Sequence, residues 1–204
     1  MAFLYKVIFG IAFLTYWYRC LVNKDIRLRW PYALLYSTAF IFEGIVLTFC
    51  SIVYKDNTVL YNLYAFIMVA IYWLCFDLKL LAGSRWLYLI YSFFLLEFCY
   101  ILFIAKSPES RLYVANLTVI ILLLLIKYRQ KLDYQELASW DRQELFVGLG
   151  ILLFYVSSFP LLVFYNLLIG NQDVKHAYNL LLKVGNVFLS LGYLASVLCL
   201  KKEE

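Results

Sequence analysis

His176, Asn179, Lys183, Asn186, Ser190 and Tyr193 follow one another at steps that alternate three and four residues, so a single helix would present all six along one face. The residues around them are apolar. A charge and two amides at membrane depth are costly to hold, and such groups usually mark a ligand pocket, an ion or proton route, or a partner. Lys183 would lie about two turns in from the end of its segment. Glu97 matches it in depth and is the expected ion-pair partner, while Glu43 sits nearer the middle of its own segment. An ion pair or a protonated carboxyl is the expected resolution of each buried charge.

Asn62, Asn116, Asn166 and Asn179 fall near the same ends of their segments, accompanied by Tyr64, Tyr100 and Tyr165. Glu43, Glu97, Asn116, Asn166, Asn179, Lys183 and Asn186 are therefore the candidate lining of a polar pocket. The competing reading is a set of interhelical hydrogen bonds, each worth about 1 kcal/mol or less, that fixes how similar apolar helices pack. Pro160, after Ser157 and Ser158, should kink its helix and release carbonyls that the serines can help to satisfy.

The elements that must position these groups are membrane helices. The chain is 65% hydrophobic and 15% charged, against roughly 45–50% and about 25% for ordinary globular domains, and its mean hydropathy is +0.81. A span needs about 20 mostly apolar residues. Seven are expected in one transmembrane domain over residues 1–204: Phe3–Tyr18, Pro31–Tyr54, Leu60–Phe76, Trp86–Ala105, Leu112–Ile126, Leu145–Ile169 and Ala177–Leu200. The first and fifth are short, and a six-span arrangement with the first helix lying in the interface competes. With seven spans, twelve lysines and arginines fall on one side and five on the other. That bias places the amino terminus outside and the carboxyl terminus in the cytoplasm.

Met1–Lys6 followed by an apolar run resembles a signal peptide start, but no small-residue cleavage site follows. Tyr16, Trp17, Tyr18 and Arg19 read as an interfacial anchor instead. Cys20, Cys50, Cys75, Cys99 and Cys199 are scattered singly, so neither disulfides nor a metal site is expected. Close helix packing is expected at the Gly148–Gly150 pair.

Lys127–Glu144 is the most charged connection, alternating in sign around Leu132, Leu137 and Trp140. It reads either as a solvated extension of the fifth helix or as a docking surface built on Arg129, Lys131, Trp140 and Arg142. Ser139 is the expected N-cap of the sixth helix, with Arg142 in its first turn. One histidine and no GxSxG, HExxH, P-loop or paired-aspartate motif leave no catalytic, cofactor or metal site to propose. The net charge of +5 is mostly a topology signal, and no compact basic, aromatic-interleaved surface argues for direct nucleic acid binding.

WDRQELFVGLGILLFYVSSFPLLVFYNLLI, followed by AYNLLLKVGNVFLSLGYLASVLCLK, resembles the last two helices of seven-helix sensor modules of Bacteroidota, and VLYNLYAFIMVAIYW resembles their third. The resemblance covers most of the chain. It implies a sensor bundle of the kind often joined to a cytoplasmic histidine kinase, with Asn179 and Asn186 at the family-like positions and no counterpart for Lys183. The chain ends at Lys201–Glu204 without a kinase segment, so a signal would leave through a separate protein. By size and span density the chain also resembles small membrane accessory proteins of type VI-B CRISPR systems, which implies an RNA-guided nuclease as partner. The Arg-x(4–6)-His ribonuclease motif of one such branch is not completed, because no arginine stands four to six residues before His176.

The sequence thus leads to an all-α integral membrane bundle of seven helices in the inner membrane, without catalysis, acting as a sensor or regulatory accessory of a cytoplasmic kinase or nuclease. Two alternatives stand beside it. One is an ion- or proton-coupled transporter or channel using Glu43, Glu97 and Lys183, against which no inverted repeat or paired broken helices are found. The other is an oligomeric, membrane-perturbing defence effector, which needs the polar stripe to face other subunits.

Overall fold

The computed structural model describes residues 3–22, 28–46, 48–49, 58–76, 92–93, 96–97, 99–100, 118–122, 124–129, 141–168 and 172–200; within these, the side chains of 58–59, 61–62, 158–168, 172–175 and 178–179 lie outside the description. The architecture is all-helical, with no strand among the described residues. The main elements are α1 (Leu4–Trp17), α2 (Trp30–Ala39), α3 (Thr58–Cys75), α4 (Arg142–Leu168) and α5 (Gln172–Leu198). A shorter helical stretch at 124–129 lies against the start of α4. Of the seven expected spans, the one whose helix is long and apolar enough to cross a membrane, among the described residues, is Leu180–Leu198 in α5; Leu63–Cys75 in α3 is a shorter apolar helix.

Local chemistry explains where the first helices begin and end. Pro31 sits in the first turn of α2, where its missing N–H costs nothing, and Arg29 before it is extended (φ −99°, ψ 97°). α1 and α2 each widen into a π-helical segment, Tyr18–Val22 and Phe40–Val46. Phe40 is the pivot of their packing. Its ring stacks on Phe13 at 4.9 Å, and a Cβ on either Gly10 or Gly44 would approach it to 3.2 Å.

α4 and α5 form the most extensive contact, with α1 laid against α5 and α2 against both α1 and α3. The α4–α5 crossing is set by Gly150 and Gly192. A Cβ on Gly192 would stand 2.7 Å from the Gly150 Cα and 2.8 Å from the Phe146 carbonyl oxygen, so the backbones touch. Gly148 packs on the Tyr128 hydroxyl instead. The helical backbone of α4 is unbroken across Pro160. Ser157 Oγ donates to the carbonyls of Leu153 and Phe154, both at 2.9 Å, rather than to that of Val156, the one Pro160 cannot serve.

Polarity is distributed inside out. Along α1 and into its π-helical end the outward positions Leu4, Val7, Ile11, Leu14 and Tyr18 recur at helical spacing, all exposed and none charged. Part of the outward surface of α4, at Leu149, Leu153 and Val156, and of the second half of α5, at Leu191 and Leu198, repeats this, whereas Arg142 at the start of α4 and Lys183 in the first half of α5 are exposed charges. Inside lie Gln143, Glu144, Ser190 and Ser196 among tyrosines.

Candidate functional site

Tyrosines at positions 16, 32, 36, 72 and 193 are all essentially buried, and their rings meet around α2 and α5. Tyr36 lies 4.8 Å from Tyr16 and 5.9 Å from Tyr193, centroid to centroid. A buried hydroxyl needs a partner. The Tyr72 and Tyr193 hydroxyls meet at 2.6 Å, and Tyr32 donates to the Cys75 carbonyl at 3.2 Å. Tyr36 meets Ser196 Oγ at 2.6 Å and accepts from Gln143 Nε2 at 3.1 Å, while Ser196 donates back to the Tyr193 carbonyl at 2.6 Å. Gln143 is wholly buried.

From Gln143 the network continues to charge. Arg29 donates to Gln143 Oε1 at 3.4 Å and is ion-paired with Asp141. The Tyr16 hydroxyl donates to the Arg29 carbonyl and stands 3.0 Å from the Arg29 backbone N–H, bracing that extended residue from both sides. Asp141 Oδ1 accepts from the Gln143 backbone N–H at 3.0 Å, so it is the N-cap of α4. The expected cap, Ser139, lies outside the described residues; Arg142 is in the first turn as expected. Burial alone would lower the Arg29 guanidinium, but the hydrogen bond and charge of Asp141 outweigh it and hold Arg29 above its ordinary value. Arg29 therefore stays charged.

A second ion pair closes the same end. Lys127 Nζ lies 2.8 Å from Glu144 Oε1 and donates to the Phe76 carbonyl, at the end of α3, at 2.7 Å. The Tyr128 hydroxyl donates to the Glu144 carbonyl at 3.4 Å. Burial, and then the charges of Glu144 and Asp141, push the Tyr128 phenol well up, so it remains a donor. Arg19 donates to the carbonyls of Val197 and Leu200 at 2.6 and 3.0 Å, covering the open end of α5. Arg19, Arg29, Lys127 and the carboxyl end of α5 thus converge on one end of the bundle. Tyr16 and Trp17 do not form an outward anchor: Tyr16 is buried, Trp17 Nε1 donates to Ser37 Oγ at 3.1 Å, and of the three aromatics only Tyr18 is exposed.

The polar pocket expected from the sequence is arranged differently. Glu43 lies in the π-helical segment and accepts from Tyr5 at 3.4 Å, with Tyr64 also within its hydrogen-bonding reach and Lys6 as the nearby positive charge. Lys6 Nζ donates to Thr48 Oγ1 at 2.6 Å, which in turn donates to the Glu43 carbonyl at 3.1 Å. Glu97 is buried. Lys183 is exposed and forms no ion pair among the described residues, so the expected Lys183–Glu97 pair is not made there. Helix lengths account for the exposure of Lys183 on the side of α1. Phe9 already packs on Tyr193, so α1 ends roughly 8 Å beyond that contact, whereas Lys183 stands roughly 15 Å beyond it. α1 gives Lys183 no cover.

The stripe on α5 is one face, as its spacing requires, but its burial is graded: His176 and Lys183 are exposed, Asn186 half-buried, Ser190 and Tyr193 buried. Asn116, Lys131 and Trp140, with Cys50, lie outside the described residues, as do the side chains of Asn166 and Asn179. Arg129 and Arg142 are exposed. Cys20, Cys75, Cys99 and Cys199 are free thiols, and burial pushes the Cys20 thiol up, so it is not primed as a nucleophile. No group of three metal-ligating side chains occurs among the described residues.

Sequence reasoning missed Tyr36, Tyr72 and Gln143 because each is an ordinary residue singly. The available signal was that buried tyrosines in apolar helices must find partners. Chemically, the network is a hydrogen-bonded layer joining five helices and two ion pairs, suited to fixing or switching a packing arrangement. Family models, curated proteins and solved structures provide no match to this chain.

The cap and its ion pair can be separated by substitution. Asp141→Asn keeps a capping oxygen but loses the charge facing half-exposed Arg29, and is expected to cost under about 1 kcal/mol. Asp141→Ala loses both and should cost about 1–2 kcal/mol. Thermal unfolding in detergent distinguishes them, and equal losses would show that the cap contributes nothing.

Proposed function

We propose that the chain is a multi-pass membrane protein that acts without catalysis, as a sensor or regulatory accessory, through a cytoplasmic protein partner. The observation that carries this reading is the inverted polarity: uncharged apolar positions outward along α1, along α4 from Leu149 to Val156 and along the second half of α5 from Phe188 to Leu198, and a hydrogen-bonded polar layer inside. Such faces are costly in water and suited to lipid. The layer lies at the end where Arg19, Arg29 and Lys127 gather, which by the positive charge bias is the cytoplasmic end. A rearrangement of helices on one side of the membrane would reach that end through the Tyr36–Gln143–Arg29 connections. A kinase or an RNA-guided nuclease is the partner class that the sequence resemblances suggest.

Two measurements test this. Residues 130–140 are replaced by a neutral linker of equal length, which keeps the Lys127–Glu144 pair. Recovery of a soluble partner with the tagged protein from its native host should fall at least tenfold, and unchanged recovery would remove that connection as the docking surface. The membrane part is tested by alkaline extraction: the chain should stay in the pellet, and release into the supernatant would refute it.

A further inference from the structure

We infer that Arg29, with Arg142 beside it, holds the phosphate of an anionic phospholipid from the cytoplasmic leaflet. This rests on the membrane reading above. A guanidinium carries five N–H donors. Nη1 of Arg29 spends its two on Asp141 Oδ2 and Gln143 Oε1, and Nε and Nη2 make no hydrogen bond among the described residues. The group is fixed in place nonetheless. Its Cζ lies 4.9 Å from the centre of the Tyr32 ring, and the Tyr16 hydroxyl contacts both its backbone N–H and its carbonyl at 3.0 Å. Its side chain is 45% exposed. A positioned guanidinium with an accessible Nε–Nη2 edge takes one oxyanion through two parallel hydrogen bonds. Arg142 follows Asp141 in the chain, is exposed, and has no ion pair or hydrogen bond from its side chain among the described residues. Arg29 and Arg142 against Asp141 leave one positive charge for the ligand. Asp141 already caps α4, so the helix terminus is not the site.

Depth identifies the oxyanion. α4 and α5 cross at Gly150 and Gly192 and run antiparallel, because Gln143 near the start of α4 meets, through Tyr36, Ser196 near the end of α5. Arg142 stands eight residues from that crossing, about 12 Å along α4. Leu198, where the apolar span Leu180–Leu198 ends, stands six residues from it, about 9 Å along α5. Arg142, and Arg29 through Asp141, therefore lie about 3 Å past the apolar span. The headgroup layer occupies about 5–8 Å beyond the hydrocarbon on each side, so lipid phosphate is the oxyanion at this level. Leu28 and Trp30, on either side of Arg29 in the chain, are both exposed there, and indole rings favour that layer. Arg29 is also the charged end of the chain through Gln143, Tyr36 and Ser196, so a phosphate on its outer edge joins the leaflet to the polar layer.

The full chain, in detergent at low salt, is titrated with dioleoylphosphatidylglycerol, dioleoylphosphatidylcholine or inorganic phosphate, reading bound lipid by native mass spectrometry and the unfolding midpoint. Phosphatidylglycerol should bind about fivefold more tightly than phosphatidylcholine, the preference that one net positive charge gives at a membrane surface. Arg142→Gln cancels that charge and removes no described contact, so its lipid-free midpoint should stay unchanged while the preference disappears. Arg29→Lys keeps the charge and its pair with Asp141 but loses the two-bond edge, and should weaken both lipids by roughly fivefold with the preference retained. Equal affinity of the parent for the two lipids, a preference that survives Arg142→Gln, or Arg29→Lys binding both lipids like the parent would each overturn the site. If Arg29→Lys does not fold, Arg142→Gln decides alone. A midpoint rise with inorganic phosphate equal to that with phosphatidylglycerol would overturn the lipid in favour of a soluble phosphate. Failure of the parent to partition into vesicles of either lipid would instead refute the membrane reading itself.

Discussion

Gly192→Ala is expected to destabilise the protein by about 1–3 kcal/mol, and Gly192→Leu to prevent α4 and α5 from docking at all. The added Cβ meets backbone on two sides, the Gly150 Cα at 2.7 Å and the Phe146 carbonyl oxygen at 2.8 Å. Comfortable carbon–carbon contact needs roughly 3.5–4.0 Å. No rotamer change relieves a clash with backbone, so the helix axes must separate, loosening the largest contact among the described elements.

Two companion substitutions make the test specific. Gly150→Ala brings its Cβ to 3.1 and 3.2 Å from α5 backbone and should be milder. Gly148→Ala crowds the Tyr128 hydroxyl at 3.0 Å, the end of a side chain that can turn aside, and meets Leu124 Cδ1 at an ordinary 3.7 Å. Alanine also gains about 1 kcal/mol of helix propensity over glycine, so Gly148→Ala is expected near neutral. The order Gly192, then Gly150, then Gly148, read as unfolding midpoints in detergent, is the prediction. A Gly192→Ala midpoint equal to that of Gly148→Ala would show that the crossing is not this close.

The same glycines show what the sequence makes legible. Small residues in an apolar helix signal close approach, and Gly150 meets that expectation. Which partner it approaches was not readable, because the matching Gly192 is a single glycine 42 positions away. Helix positions followed from apolar runs: Phe3–Tyr18 becomes Leu4–Trp17 with a π-helical end, and Leu60–Phe76 becomes Thr58–Cys75. Apolarity specifies an element but not its neighbours. The stripe on α5 was legible as one face for the same reason, whereas the exposure of Lys183 depends on where α1 starts beside it, a tertiary fact. Gln143 and Tyr36 were illegible because their roles exist only as a pair.

Lys127 is the residue at which a single change should cost most in the polar layer. Lys127→Met removes the cation 2.8 Å from Glu144, whose side chain is only 9% exposed, and strips the Phe76 carbonyl of its donor. A buried carboxylate left without its cation is the costly case, at about 3–5 kcal/mol. Replacing both partners by apolar groups of similar size removes the stranded charge as well as the pair, which is often close to neutral. Lys127→Met with Glu144→Leu is therefore expected to recover most of what Lys127→Met loses, retaining a deficit of about 1 kcal/mol for the Phe76 carbonyl. Unfolding midpoints of the two single variants and the double give the coupling directly. Additive losses would mean that water already screens Glu144 and that this end of the bundle is open. Strong recovery would mean that it is dry, and that Lys127 and Glu144 tie the two sides of the 127–144 connection together.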